Sequence, residues 1–490
     1  MYTTVRSIPE TPDQPGVAAA ATGAGSAGSD RIGRRRVSRI VVTLGTVSLF
    51  TDLSSEMVVA VLPVYLTLVL GLTPIQYGLI DGLYQGVTAA VRILGGIAAD
   101  LTRRPKIIAV LGYGLSCVCK LFFLPVHSFA GIIGLVAIDR TGKGLRTAPR
   151  DAMIVAASEP ESMGYSFGVH RAMDTAGALG GPLIAFGILA WLVDGYDAIF
   201  VLSFSLAAIG VAVLVLFVPG LRPDDTTDAI DEIDENGAID EIGAIDELAA
   251  IDAMDAADVL DPDGVPAKPD GVVRKGALKS TVREFGQLAK GAGYRRLLGV
   301  GALLSLATIS DGFVYLTLKD RVGIGASLFP LLFVGTAMVY LLLAIPLGRL
   351  ADRIGRARVF IGGHLLAALG YLSLWLLPPG PGLVIGVLAL IGAYYAATDG
   401  VLPALTAPLV PENVRTSGIA GVQTVMAVGS MASAALFGVV WSQFGQRTAV
   451  AAFAIGLAFA VLLAVRLLAG LPGSTPAGPG TDRGVGAGTA

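Results

Sequence analysis

Apolar runs of about 20 residues, the length that crosses a hydrocarbon core, recur along the chain near 40–69, 77–99, 107–125, 129–151, 165–191 and 197–218. A polar stretch follows. Six more runs come near 294–318, 326–350, 358–377, 382–408, 416–440 and 447–469. The pattern predicts an all-α polytopic membrane protein with 12 transmembrane helices, arranged as two six-helix pseudo-repeats. One bundle spans 38–219 and the other 292–470, with a linker over 220–291 and disordered tails over 1–37 and 471–490. The first tail is rich in Ala, Gly, Ser, Thr and Pro and carries no cleavable signal.

The fourth run breaks the apolar rule. Within Asp139-Arg140-Thr141-Gly142-Lys143-Gly144-Leu145-Arg146-Thr147-Ala148-Pro149-Arg150-Asp151, helical geometry projects Asp139, Lys143, Arg146 and Arg150 within about 60° of one another. Exposing four such charges to lipid would cost about 2.5 to 3.5 kcal/mol each, on the order of 10 kcal/mol together. The stripe must face protein or water, so its neighbours have to supply partner charges around a polar interior.

Loop charge orients the bundle. Arg31, Arg34, Arg35, Arg36 and Arg39 precede the first run, and Arg103, Arg104, Lys106, Lys275, Lys279, Arg349, Arg353, Arg356 and Arg358 fall on the same side by alternation. The excess of basic residues in short loops predicts cytoplasmic N- and C-termini and a multi-pass protein of the cell membrane. Composition agrees: hydrophobic residues make up 54% and charged residues 15%, and the mean hydropathy of +0.72 excludes a soluble domain of this length. The net charge of -3 misleads, because about 17 of the 38 acidic residues crowd into 224–270. There Ala-Ile-Asp-Glu recurs from 229, 238 and 244, an acidic low-complexity segment too poor in large apolar groups to pack by itself. Cys117 and Cys119 point in different directions on one helix and read as small core residues.

The halves repeat one another. Gly96-Ile97-Ala98-Ala99-Asp100 with Arg103-Arg104-Pro105-Lys106 follows the second run, and Gly348-Arg349-Leu350-Ala351-Asp352-Arg353-Ile354-Gly355-Arg356-Ala357-Arg358 follows the eighth. Asp52 is echoed by Asp311, and Glu159-Pro160-Glu161 by Val410-Pro411-Glu412. The path between two such repeats is where a transported molecule would pass.

On these residues the chain resembles the major facilitator superfamily from about residue 38 to 470. Gly348 to Arg358 is similar to the family's cytoplasmic loop motif; in the first-half copy Leu101 follows Asp100 and Arg103 takes the usual Gly position. Arg140-Thr141-Gly142-Lys143-Gly144 is similar to the Arg-x-x-Gln-Gly motif associated with proton coupling, with Lys143 in place of Gln. Gly177, Gly181 and Pro182 resemble the Gly-x-x-x-Gly-Pro part of the antiporter motif, a pattern that also serves plain helix packing. The longer segment, with Asp52-Leu53-Ser54-Ser55-Glu56 upstream, looks like the drug-efflux-like branch. The resemblance implies a secondary transporter, an antiporter working by alternating access.

The chemistry of such a carrier selects candidates. Proton coupling needs an intramembrane carboxylate, since burial and a nearby cation move its affinity for a proton in opposite directions. Asp52, Glu56, Asp81, Asp139 and Asp174 qualify, with Arg92, Arg140, Lys143, Arg146 and Arg171 as basic partners. Asp52 and Glu56 are four apart, so one proton shared between them is the expected coupling site, together with Asp139 and Arg140. Asp100, Arg104, Gly348, Asp352, Arg353, Gly355 and Arg356 are expected to gate the cytoplasmic end. His170 is expected at a helix surface. In the second half Asp311, Phe313, Tyr315, Tyr394, Asp399 and Gln423 read as a substrate wall, suited to amphiphilic molecules.

The expected function is therefore proton-driven export of small drug-like molecules. The alternatives are a proton symporter or exchanger of an anionic metabolite, drawn by the basic face of the fourth span, and a non-transporting scaffold that recruits a partner through the acidic loop. No zinc-ligand spacing, P-loop or catalytic triad stands out, so neither an enzyme nor a cofactor is expected, the proton gradient being the driving force. The expected partners are the lipid bilayer, protons and a small molecule; nucleic acid is not among them, and the protein reads as a monomer.

Overall fold

A computed structural model describes residues 38–102, 104–158, 162–219, 291–411 and 415–468. The expectations for 1–37, 220–290 and 471–490, for Arg103, and for the Glu159 and Glu412 loops lie outside the described residues. So does the side chain of Asp100, although its backbone belongs to the second helix.

All the regular structure described is helical. The first half comprises α1 (Arg39–Val64), α2 (Pro74–Thr102), α3 (Pro105–Phe122), α4 (Phe129–Ala156), α5 (Met163–Trp191) and α6 (Tyr196–Phe217). The second comprises α7 (Ala292–Leu306), α8 (Asp311–Val322), α9 (Pro330–Ile354), α10 (Arg356–Leu376), α11 (Pro381–Thr398), α12 (Val401–Thr406), α13 (Arg415–Phe444) and α14 (Gln446–Leu468). Paired in sequence, α7 with α8 and α11 with α12 each make one crossing, which gives the twelve spans. Ten of these are long and apolar enough to cross a membrane among the described residues. α2 and α4 have the length but fall short in apolarity because of the polar residues they turn toward neighbours.

Local signals set the ends. Thr73 and Gln76 form a reciprocal cap at the start of α2, the Thr73 backbone N–H donating to Gln76 Oε1 (2.9 Å) and the Gln76 N–H to Thr73 Oγ1 (3.3 Å). Ser128 caps α4 by accepting from Gly131 N–H at 3.2 Å. α1 contains Pro63, which offers no backbone donor, and the helix continues beyond it as a π-helical turn, Tyr65–Val69. Between α9 and α10, Gly355 adopts φ 105°, the turn that the Gly-Arg pattern of the loop motif requires. A side chain there is strained, so Gly355→Ala should lower stability by about 1 to 2 kcal/mol, read as a lower Tm of the detergent-solubilised protein.

Glycines bring the helices of the first half together. A Cβ at Gly142 would lie 2.6 Å from the carbonyl oxygen of Gly112, and one at Gly95 2.8 Å from that of Leu145, so α4 sits tightly between α2 and α3. Gly177 and Gly181 do the same for α5 on α1: their Cβ positions fall 2.7 Å from Leu49 O and 2.8 Å from Leu53 O. The spacing that resembled an antiporter motif thus builds the close α1–α5 crossing and sets Asp52 beside α5.

The halves meet mainly along α2 and α13, with α5 against α9 on the other flank. Gly78 lies on the carbonyl of Ala434, Gly82 on that of Met431, and Gly438 on that of Pro74. Pro74 begins α2 at the end remote from Arg104 and Lys106, so this contact closes the end of the molecule opposite the basic loops. Phe313 of α8 fills the same seam, with ring centroids 4.8 Å from Tyr77, 4.7 Å from Phe437 and 5.5 Å from Trp441. Leu111, Val118, Leu342, Ile345, Ile385 and Phe459 stand exposed on the outside of the bundle, an apolar belt that suits contact with lipid.

Candidate functional site

The charged face of α4 finds partners rung by rung. Running antiparallel to it, α1 presents Glu56, Asp52 and Ser48 at four-residue intervals, one helical turn apart. Lys143 Nζ lies 3.7 Å from Glu56 Oε1, Arg146 3.5 Å from Asp52 Oδ1, and Arg150 donates to Ser48 Oγ at 3.3 Å. Long side chains suit this task, because they reach across a gap that the two backbones do not close. Arg146 is buried, its guanidinium 4.4 Å from the Tyr113 ring centroid.

α5 completes the lower rungs. Arg150 also reaches Asp151 (2.9 Å) and Asp174 (3.7 Å), and Arg171 lies 3.9 Å from Asp174. The carboxyls of Asp174 and Asp52 stand next to each other. Two carboxyls so placed repel when both are ionised, and a proton held between them would relieve this. His170 is buried, with Nε2 3.0 Å from Ser48 Oγ, so it ties α5 to α1 and does not lie at the surface as expected.

At the next turn up, Asp139 is the centre of a buried group. Arg140 forks onto its Oδ2 through Nε (2.9 Å) and Nη2, the Ser116 hydroxyl donates to Oδ1, and Lys120 lies 3.6 Å from Oδ1. Arg140 stacks 3.8 Å from the Tyr84 ring centroid. A small cavity beside the group is lined by Ser55, Tyr84, Lys120, Asp139 and Arg140.

The structure corrects the expected coupling pair. Asp52 and Glu56 share a helix face but go to different cations, and the second carboxyl on Asp52 belongs to Asp174. Four-residue spacing predicts proximity along one helix and says nothing of what a neighbouring helix inserts between the two groups. Lys120, Ser48, Ser116, Tyr84 and Tyr113 escaped sequence reasoning. Lys120 carried a signal, a lone cation inside the third apolar run, but its place near the helix end reads equally as an interfacial anchor.

The second half departs further. Phe313 is fully buried in the seam and Tyr315 is buried with its hydroxyl donating to Thr336 (2.7 Å), its ring against Phe333. Neither lines a cavity wall. The reason is the break at 307–310, which sinks the start of α8 between the halves. Asp311 accepts from the Tyr395 hydroxyl at 2.8 Å, and Tyr394 lies between Tyr395, whose ring is tilted against it, and His364, which it meets edge to face. Asp399 and Gln423 are exposed. At the basic end Asp352 pairs with Arg356 at 3.4 Å, Arg356 donates to Ala404 O at 2.9 Å, and Arg104, Asp352 and Arg353 are exposed. Gly348 has open space around its Cα.

The profile described as Major Facilitator Superfamily matches residues 44–246 and 297–488, a segment in each half. The chain belongs to this superfamily. An uncharacterised MFS-type transporter of Methanocaldococcus jannaschii is 26% identical over 440 residues, covering 89% of the chain and 95% of that protein. An uncharacterised protein of Mycobacterium tuberculosis is 30% identical over 180 residues, 35% of the chain and 43% of its own length. Among solved structures, a POT family transporter in complex with 5-aminolevulinic acid superposes with a TM-score of 0.65 at 15% identity, covering 88% of the chain and 96% of that structure. The nucleoside transporter NupG superposes with a TM-score of 0.64 at 12% identity, covering 88% and 99%. At such identity the likeness speaks for the major facilitator fold alone.

Proposed function

We propose that this membrane transporter of the major facilitator type is a proton-coupled exporter of small amphiphilic molecules, with its basic loops in the cytoplasm. The observation that carries the reading is the Asp52–Asp174 carboxyl pair flanked by Arg146 and Arg150. A proton leaving this pair adds a charge between two cations already in place, so loss and gain of the proton retune the rungs that hold α1, α4 and α5 together. Substrate binding and proton binding then favour opposite orientations of the halves. The seam along α2 and α13 supports the second half of the argument, because a carrier closed at one end is one of the two states that alternating access requires.

The anionic-metabolite reading has less support, since it drew on free cations, and Arg140, Lys143, Arg146 and Arg150 all have carboxylate partners. The scaffold reading turns on the acidic loop, and a chain deleted for 224–270 separates it: a transporter keeps its flux.

Proton movement tests the proposal. In energised inside-out vesicles carrying a pH-sensitive dye, a lipophilic cation or neutral drug should release protons from the lumen. Asp52→Asn, which leaves only one titratable carboxyl in the pair, should reduce that release by about tenfold or more. A response to organic anions alone would favour the metabolite carrier, and equal responses in the variant and the parent would remove the pair from the coupling mechanism.

A further inference from the structure

The ladder accounts for the carboxyls of α1, α4 and α5, but two more lie at the closed seam with no cation beside them. α2 of the first half brings up Tyr77 and, one turn along, Asp81. The second half brings the broken span, with Ser310 at the N-cap of α8 and Asp311 in its first turn. The Tyr77 hydroxyl presses on Gly312 where a side chain would have no room, and its ring meets Phe313 edge to face. Asp81 sits beside the Tyr77 and Ser310 hydroxyls. Even so, Asp81 Oδ2 and Ser310 Oγ are both cut off from solvent and lack a hydrogen-bond partner. Ser310 does not cap α8 through its side chain either.

The surroundings of the two carboxyls contain no basic group among the described residues. The titratable neighbours are Tyr77 and Tyr84 on α2, Tyr315 on α8, Tyr371 on α10, and Tyr394, Tyr395 and Asp399 of the α11 span. Asp311 takes its one hydrogen bond from Tyr395. Asp52, Glu56, Asp139 and Asp174, by contrast, all stand in ion pairs. Two acids facing each other across a seam, ringed by phenols and free of cations, need a positive charge or a proton before the seam can shut around them.

A proton on Asp81 meets that need: it removes the charge that the carboxyl would otherwise carry into the closed seam, opposite Asp311 and beside the Ser310 hydroxyl. Its loss leaves one or two negative charges on the seam, opposed across the halves with no cation beside them. We propose that Asp81, Ser310 and Asp311 form a proton-binding site built across the seam, and that the proton it holds keeps this end of the carrier shut. The site shares no residue with the ladder. It rests on the reading of the protein as a proton-coupled carrier: with the basic loops inside, the seam faces outward, takes its proton while open, and closes over it before the cavity turns inward. One proton binds and one is released per opening.

The test measures the seam directly in the full-length protein in lipid nanodiscs. In a Cys117→Ser/Cys119→Ser background, spin labels at Leu68→Cys and Phe444→Cys, both exposed at the closed end, report its width by double electron–electron resonance. Between acid and alkaline pH the closed population should fall as pH rises, with a slope approaching tenfold in the closed-to-open ratio per pH unit, the value for one linked proton. Asp81→Asn carries a permanent donor and no charge, so it should stay closed across the range. Ser310→Ala removes a hydroxyl that steadies the ionised carboxylate, so the pH at which the seam opens should move upward while the protein stays folded. Identical titrations for the parent and Asp81→Asn would overturn the site, as would closure that follows sodium concentration instead of pH. Proton flux in the same preparations separates the two proposals: flux with a seam indifferent to pH refutes the seam site alone, whereas a pH-driven seam without substrate-dependent flux refutes the coupled-carrier reading and leaves the site standing.

Discussion

Asp139→Asn should destabilise the protein by about 3 to 5 kcal/mol, because it strips two buried cations of the one carboxylate that forms ion pairs with them among the described residues. Lys120 and Arg140 are each 3% exposed and both bond to this one side chain. The neutral amide can accept hydrogen bonds but leaves two buried positive charges facing each other. An ordering is expected as well as a size. Lys120→Met leaves Asp139 with Arg140, and Arg140→Met leaves it with Lys120, each a balanced pair, so either change should lower Tm much less than Asp139→Asn. Lys120→Met/Asp139→Asn removes one cation along with the anion and should recover part of the loss, the non-additivity expected of residues in one network. Thermal unfolding in detergent supplies all four values. If Arg140→Met proves as damaging as Asp139→Asn, the group is held by the Tyr84 stacking and the packing of the guanidinium, and charge balance is the wrong account of it.

That ordering is not legible in the chain alone. Apolar runs marked the place of all twelve helices, although two of them, α2 and α4, carry too many polar residues to qualify by apolarity: the runs near 107–125 and 382–408 correspond to Pro105–Phe122 and to Pro381–Leu409, and the others end within a few residues of expectation. The demand that Asp139, Lys143, Arg146 and Arg150 be met by partner charges was also legible, because the lipid penalty allows no other outcome. Which partner meets which rung was not. That depends on glycine contacts such as Gly177 on Leu49 and Gly142 on Gly112, which set the height of one helix against the next. Since a register shift of one turn would exchange Asp52 for Glu56 opposite Arg146, pairings are tertiary facts. The break before Asp311 was hidden for a similar reason. The run from 294 to 318 reads as one apolar helix, and tertiary contacts compensate the lost helical bonds: the Tyr371 hydroxyl bonds both N–H (3.1 Å) and C=O (3.2 Å) of Ile309, and Ser433 donates to Thr308 O at 2.6 Å.

Gly82→Leu should hold the seam open and reduce transport by more than about tenfold. A Cβ at this position would sit 2.6 Å from the carbonyl oxygen of Met431, a backbone atom that cannot rotate away, so α2 and α13 must part to make room for it. The contacts of α2 with α4 and of α13 with α7 lie within their own halves, and each bundle should therefore fold around the substitution. What is lost is one of the two end states: a carrier that cannot close on one side cannot complete a cycle, however well it binds. Gly456→Leu on α14 is the matched control, because nothing lies within 4 Å of the added carbon, and it should leave flux unchanged. Labels at Leu68→Cys and Phe444→Cys should report a wide seam in Gly82→Leu at every pH, including acid pH where the parent is closed. Adding Asp81→Asn to Gly82→Leu should not rescue closure, since removing a charge does not relieve the steric contact that holds the helices apart. Transport at the parental rate by Gly82→Leu would mean that α2 and α13 never close on one another during turnover, and that the seam is a fixed joint between the halves.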